Sequence, residues 1–337
     1  MEKEKRLELI KRNVEEIVTE NELKELLENK KIYAYWGTAP TGPFHIGHVA
    51  SLTKIFDFER AKIKTKILIA DIHAALDDLK APWDQIKERA EFYKKCIELV
   101  LPWQAKPYFV IGSEFQLSKD YMNDVLKIAT ITTTKRALRA ASEVCRLKNP
   151  KVSELIYPIM QSLDEQYLNV DIQLGGIDQR HIMMFAREYL PKIGYRKRIE
   201  IMMPLLVSLT GPDTKMSASV PETHVKVYDS VEKIKEKIRK AYCPKGVTKN
   251  NPIIQICKLI IFPLKNKLKV ERAKSYGGDI TFEAFEDLEK AFALQQLHPL
   301  DLKEAVANSL IELFKKVRKY FENKKEKIEE FGKEFLP

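Results

Sequence analysis

Five short strand-like runs recur along the chain, the first four each followed by a stretch with helical spacing, and that alternation leaves few folds open. "KIYAYWG" (31–37), "TKILIAD" (65–71), "PYFVIGS" (107–113), "VDIQLGG" (170–176) and "RIEIMMPLL" (198–206) are mostly apolar or aromatic, as strands covered on both faces must be. Helical patterns follow through residue 61, over 84–101 and over about 178–190. Strand and helix in turn predict a parallel α/β sheet, with ligands bound beyond the carboxyl ends of its strands.

The departures from that rhythm suggest the rest of the organisation. Leu7, Ile10, Val14, Ile17 and Leu23 are spaced as in one leading amphipathic helix over 7–29. Residues 118–168 read as helical with no strand, a helical insertion before the sheet resumes. A polar Gly/Pro-punctuated loop covers 208–224, and from about 230 the pattern is helical to the end. A chain of 337 residues suits one large and one smaller domain, here 1–229 and 230–337. The formal charge of +10 fits a polyanionic partner such as nucleic acid, and plain solubility equally well. Cys96, Cys145, Cys243 and Cys257 form neither a CxxC pair nor a zinc-spaced cluster, so no metal is expected. With a charged N-terminus and no run near the ~20 apolar residues of a membrane span, a cytoplasmic protein with no membrane partner is expected.

"PTGPFHIGH" (40–48) fills the first strand-to-helix turn. A helix N-terminus there offers free N–H groups and a positive dipole end to phosphate, and Gly47 lets a nucleotide approach the backbone. His45 and His48, three apart, could each donate an imidazole N–H to a phosphate; two ordinary histidines near a helix cap explain the nine residues as well. After the last strand "TKMSAS" (214–219) supplies the Lys215 ammonium and the Ser217 and Ser219 hydroxyls in a loop able to close over a triphosphate. On the 157–167 stretch, Tyr157, Gln161 and Asp164 at i, i+4 and i+7 share a helix face, either a polar binding face or a wet surface.

Taken together, "HIGH" and "KMSAS" resemble the two signatures of class I aminoacyl-tRNA synthetases. "YWGTAPTG", "LIADIHAALDDLKAPW", "GSEFQLSKDY", "YPIMQSLDEQYL", "GGIDQR", "AYCPKG", "YGGD" and "HPLDLK" resemble, in order, the tyrosyl-tRNA synthetases of archaea and eukaryotes. The resemblance runs from about residue 8 to about residue 320. It implies a Rossmann-like catalytic domain with a helical insertion, an all-α anticodon-binding domain, a homodimer, and tRNA(Tyr), L-tyrosine, ATP and Mg2+ as partners, without DNA. The implied chemistry is attack of the tyrosine carboxylate on the α-phosphate of ATP, then transfer of the tyrosyl group to the tRNA.

The implied roles fall on named positions. His45, His48, Lys215 and Ser217 are expected to be catalytic, with Thr41, Gly42, Gly47, Met216 and Ser219 binding ATP. Tyr157, Gln161 and Gln179 would hold the α-amino group of tyrosine, Asp164 and Tyr35 its phenol, and His73, Gln116 and Leu168 would line the pocket. Arg139, Arg180, Tyr276, His298 and Asp301 would contact tRNA, with His181 and the neighbouring Lys135 and Arg136 as further candidates. Asp301 has a structural reading too, as N-cap of a helix with Glu304 completing a capping box. One departure is Ala218, where the family's loop carries a second lysine, which puts more weight on Lys215. A tryptophanyl synthetase shares the motifs, and a cytidylyltransferase shares the first of them; Asp164 and Tyr35 speak against an indole, and KMSAS speaks for tRNA.

Overall fold

The computed structural model describes residues 2–29, 31–145, 149–213, 216 and 220–322. Within them the chain divides into two compact units. One holds Met1–Thr41, Asp57–Lys95 and Trp103–Leu205; the other holds Gly42–Phe56, Cys96–Pro102 and Leu206–Pro337.

The first unit is built on a six-stranded sheet. Its strands are β1 (Glu16–Val18), β2 (Tyr33–Thr38), β3 (Lys64–Ile69), β4 (Tyr108–Ile111), β5 (Ile172–Gly176) and β6 (Ile199–Met203), in the order β1-β6-β5-β2-β3-β4. Every pair is parallel except β1 with β6. The order reverses between β2 and β5, so the chain leaves their carboxyl ends in opposite directions and opens a crevice there. Ala34, Trp36, Ile67, Ile69, Ile172, Leu174 and the whole of β6 are buried, which is why these runs carry so few charges. The expected insertion appears as the helices Lys119–Ile131, Thr134–Ala141 and Val152–Tyr167, which pack together with Arg180–Tyr189 around Tyr121, Val125, Leu163, Ile182 and Phe185.

Two readings are corrected here. The leading segment is not one helix. It ends at Lys11, turns through Asn13 in the left-handed region (φ 58°), adds β1 to the sheet edge, and resumes as Glu20–Leu26 capped by Thr19, whose side chain accepts from Glu22 N at 3.2 Å. Asparagine tolerates that backbone, and three strand residues are too few to leave a period in the sequence. The segment after 229 is also not purely helical: β7 (Leu268–Val270) and β8 (Ile280–Phe282) form an antiparallel pair among its helices.

In the second unit, hydrogen bonds from Ile46 N to Val225 O (3.0 Å) and from Val227 N to Phe44 O (3.1 Å) tie the chain just beyond 220 to the start of the Ile46–Arg60 helix. Further along that helix the buried Thr53 hydroxyl donates to Leu259 O at 2.7 Å, anchoring it to the C-terminal helices.

Candidate active site

In the first unit the polar groups converge on Asp164. It is 1% exposed, and its Oδ1 accepts from Gln116 Nε2 and from the Tyr121 hydroxyl, both at 2.8 Å. Tyr121 has one proton for two acceptors, since Met160 O lies 2.6 Å away. Gln116 Nε2 also reaches His73 Nδ1 at 3.4 Å, and the Tyr157 ring stands edge-on to His73 with centroids 4.7 Å apart. Burial pushes the Asp164 carboxyl up to about 7, with Gln116 and Tyr121 pulling it back, and holds His73 down at about 4, hence neutral.

Four buried atoms around this group have no hydrogen-bond partner: the Tyr35 hydroxyl, His73 Nε2, Gln116 Oε1 and Asp71 Oδ2. Orphaned buried polar atoms are rare in a folded protein and cost about 1–3 kcal/mol each, so four together suit a pocket whose ligand is itself polar. Tyr35 sits in β2 with Leu68, Ala70, Leu168 and Val170 packed about it. Gln161 donates to Gln179 Oε1 at 3.1 Å, joining the helix face to the turn after β5. The three residues at i, i+4 and i+7 therefore lie on one helix, Val152–Tyr167, as their spacing predicts. Tyr121, Asp71 and Gly112 were not singled out from the sequence. Asp71 Oδ1 accepts from Ser113 N at 2.8 Å, and a Cβ on Gly112 would come within 2.5 Å of Gln116 Oε1, so only glycine admits Gln116 there. The pattern "GSEFQLSKDY" contains two of them, but one tyrosine in an amphipathic helix has no signature of its own.

In the second unit His45 lies just before the Ile46–Arg60 helix, not on its face. Its Nδ1 accepts from Gly47 N at 3.1 Å, while its own backbone N–H donates to His48 Nδ1 at 3.2 Å. Each imidazole thus caps the helix through Nδ1, which assigns the proton to Nε2 and makes Nε2 the donor. Cap and phosphate ligand, two alternatives from sequence, become two ends of one ring. Burial holds both rings neutral, His48 at about 4 and His45 well below its usual value, with His48 and His224 lowering His45 further. The ring of His224 lies 4.8 Å from that of His45, brought there by the bonds to Val225 and Val227; no local pattern signals it. A Cβ on Gly47 would stand 2.9 Å from His45 Cε1 and 3.3 Å from Met216 Sδ, so the glycine keeps the two motifs in contact. Thr41 and Gly42 form the turn leading in. Lys215, Ser217 and Ser219 lie outside the described residues.

The expected tRNA contacts divide. Arg139 is exposed on the Thr134–Ala141 helix, whereas Arg136 bonds Glu188 at 2.9 Å and covers the Phe185 ring. Arg180 holds Glu16 through two bonds of 2.7 and 2.9 Å, and His181 Nδ1 is 3.1 Å from Ser142 Oγ. Asp301 is not the N-cap. The helix is Pro299–Leu313, and the cap is His298, whose Nδ1 accepts from Leu300 N at 3.2 Å. Pro299 has no N–H to satisfy and its fixed φ suits the first helical position, so the helix starts three residues early and leaves the Asp301 carboxylate out of the cap. The Tyr276 side chain lies outside the described residues. One buried group, Asp77, Cys145 and Glu154, has potential ligand atoms within 4.8 Å of one another, and Asp77 there is ion-paired with Lys80.

Residues 27–315 match the family model of the class I tRNA synthetases, W and Y. The chain is 47% identical over 316 residues to the tyrosine–tRNA ligase of Archaeoglobus fulgidus, covering 93% of this chain and 97% of that one. With the cytoplasmic tyrosine–tRNA ligase of Xenopus laevis it shares 41% over 323 residues, 94% of this chain and 61% of the longer relative. Among solved structures, the tyrosyl-tRNA synthetase of A. fulgidus complexed with L-tyrosine superposes with a TM-score of 0.90 at 46% identity, over 94% of this chain and 99% of that one. A tryptophanyl-tRNA synthetase from Giardia lamblia, at 16% identity and a TM-score of 0.68, covering 92% and 83%, shares the fold.

Proposed function

The chain belongs to the class I tRNA synthetases of the tryptophan and tyrosine type, and from that premise we infer that it is a tyrosine–tRNA ligase. The observation that carries the choice of amino acid is the buried Asp164 carboxylate in the unit that also buries the unpartnered Tyr35 hydroxyl. A phenol both donates and accepts, so it can use a carboxylate and a hydroxyl together; an indole N–H only donates. Phenylalanine would leave the Tyr35 hydroxyl buried and unpaired and the Asp164 carboxylate buried without a bond to the substrate, so the site discriminates by binding alone.

The reaction follows from the chemistry of the parts. A carboxylate oxygen of tyrosine attacks the α-phosphorus of ATP, the bond to the bridging oxygen breaks, and pyrophosphate leaves with the electron pair. A ribose hydroxyl of the tRNA then attacks the adenylate carbonyl and AMP leaves. No side chain forms a covalent bond, so catalysis rests on positioning and on charge stabilisation. His45 and His48 contribute neutral Nε2–H donors to the phosphates, Lys215, Ser217 and Ser219 of the other motif are proposed to join them, and Thr41, Gly42, Gly47 and Met216 shape the approach. Gln161 and Gln179, with Tyr157, receive the α-amino group; His73, Gln116 and Leu168 line the pocket. The imidazoles and thioether around Gly47 do not fit Mg2+, whose ligands are oxygens, so Mg2+ is proposed only as the counter-ion that ATP brings.

Residues 1–229 are proposed to catalyse and 230–337 to bind the anticodon, with Arg139 and Arg180 toward the acceptor stem and Tyr276, His298 and Asp301 toward the anticodon. The homodimer draws support from Leu117 and Leu126, apolar yet 60% and 62% exposed beside and on the Lys119–Ile131 helix. A cytoplasmic setting draws support from four cysteines that are all free. Charging assays test the RNA half of this reading. Because Asp301 is not needed for the cap, Asp301→Ala is expected to lower tyrosylation of full-length tRNA(Tyr) by roughly 10-fold or more, one lost base contact of about 1–3 kcal/mol, and to spare an acceptor-stem minihelix. Equal losses on both substrates would assign Asp301 to helix stability instead.

A further inference from the structure

In the first unit both carboxylate oxygens of Glu165, on the Val152–Tyr167 helix, and both of Glu200, in the middle of β6, have no hydrogen-bond partner. Each residue is 0% exposed. Strand register shows what they face. Glu200 pairs with Gln173 of β5, and Gln173 with Tyr35 of β2, so the three side chains stand in one row on one face of the sheet, about 5 Å from strand to strand. Gln173 Oε1 and the Tyr35 hydroxyl, in the same row, also lack partners. Glu165 is the residue after Asp164, and it lies close enough to Glu200 for its charge to raise the Glu200 pKa.

The nearby cations do not reach them. Arg198 bonds Gln166 Oε1 at 2.6 Å, Val170 O at 3.3 Å and the Arg196 carbonyl. Arg187 bonds Glu22 Oε1 at 2.8 Å, Val18 O at 3.2 Å and the Arg198 carbonyl. Their charges favour ionisation of the pair, as does that of Arg196, while Glu22 and Asp164 oppose it. Beyond Tyr35 in the row stands Lys66 of β3, whose ammonium donates to Leu168 O at 2.6 Å. Two carboxylates with no donor in a dry site cannot both ionise; one proton held between them satisfies only the pair itself, and a second leaves one O–H to donate to a further acceptor.

We propose that Glu165 and Glu200 are held protonated as a pair and act through Gln173 as positioning residues for Tyr35, setting how its hydroxyl meets the phenol of the substrate. The proposal rests on the tyrosine reading of the pocket. With the pair neutral, one acid O–H bonds the other carboxyl and the second donates to the Gln173 oxygen, whose N–H faces the Tyr35 oxygen, so the Tyr35 proton is left for the substrate. When one proton leaves, the other is held between the two carboxyls, the Gln173 oxygen loses its donor, and the negative charge draws the Tyr35 O–H back along the row and away from the phenol. No proton is consumed by the adenylation itself. Desolvation places the change in an accessible range, pushing Glu165 up to about 8 and Glu200 well above the usual carboxylate range.

The test is the Michaelis constant for tyrosine in ATP–pyrophosphate exchange, from about pH 6.5 to about pH 9.5, for the native chain and for Glu200→Gln, a neutral isostere of the protonated acid. The native KM for tyrosine is expected to climb roughly tenfold per pH unit once the pair has lost one proton, with KM for ATP not following. In Glu200→Gln that climb is expected to vanish. Titration of the substrate's amino group is common to both proteins and cancels in the comparison. Superimposable profiles, or a parallel rise for ATP, would overturn the proposal. Thermal melts supply a readout independent of substrate. Because the folded-state pKa is raised, the stability the pair contributes is present in full below the unfolded value near 4.5 and is lost as pH rises through about 8. The native midpoint should therefore fall more steeply with pH than that of Glu200→Gln, and equal slopes would also overturn the proposal. Absence of tyrosine-dependent exchange at every pH would instead sink the reading of the pocket, leaving the melts to report on the proton.

Discussion

Asp164→Ala is expected to lower kcat/KM for tyrosine in ATP–pyrophosphate exchange by roughly 100-fold, with KM for ATP unchanged. The carboxylate is buried, and it accepts from both Gln116 and Tyr121. Its removal takes away a charge-assisted bond to the substrate's phenol, of about 1.5–3 kcal/mol, and leaves Tyr121 with Met160 O alone and Gln116 Nε2 with only the longer contact to His73. Asp164→Asn separates the two effects, since it keeps the shape and one acceptor but not the charge. The loss should also shrink with phenylalanine as substrate, because a ring without a hydroxyl never made the bond. A variant that lost tyrosine and phenylalanine activation equally would show that Asp164 holds the fold and does not read the phenol. The pH dependence has a defined sign: burial raises the Asp164 carboxyl to about 7, so tyrosine binding should weaken as pH falls below that value and the acceptor becomes protonated.

The second large effect is expected at the first signature. His48→Ala should lower the rate of adenylate formation by about 10²–10³-fold, the usual effect of deleting one donor aimed at developing charge, with KM for tyrosine little changed. Because His48 stays neutral down to about 4, the native rate should not fall from titration of this ring between pH 5 and pH 8. His48→Asn serves as the control for the cap, since an amide can still accept from His45 N while presenting a different donor. Single-turnover formation of adenylate in a rapid-quench apparatus measures the step directly. A rate in His48→Ala within a few-fold of native would reduce His48 to a capping residue.

How much of this could be read from the chain depends on whether a feature is local. The five sheet strands with strand-like sequence, the helix face of Tyr157, Gln161 and Asp164, and the turn bearing His45 and His48 all leave a period or a motif behind, and the structure contains each of them. β1, β7 and β8, at three residues each, are too short for alternation to rise above chance. Asp301 looked like a cap because the capping pattern is common; Pro299, read for its missing N–H, points to His298. Tyr121 and His224 are set by tertiary contacts alone, one through a helix packed on Asp164 and the other through bonds to the residues around His45. Glu165 and Glu200 are ordinary charged residues in the sequence, 35 positions apart, and only strand register and burial show that they share a dry site with Gln173.

ATP–pyrophosphate exchange with tyrosine, tryptophan and phenylalanine side by side is the most direct measurement. A buried carboxylate and hydroxyl arranged for a phenol predict robust exchange with tyrosine and exchange lower by orders of magnitude with the other two. Exchange with tryptophan and not with tyrosine would contradict it.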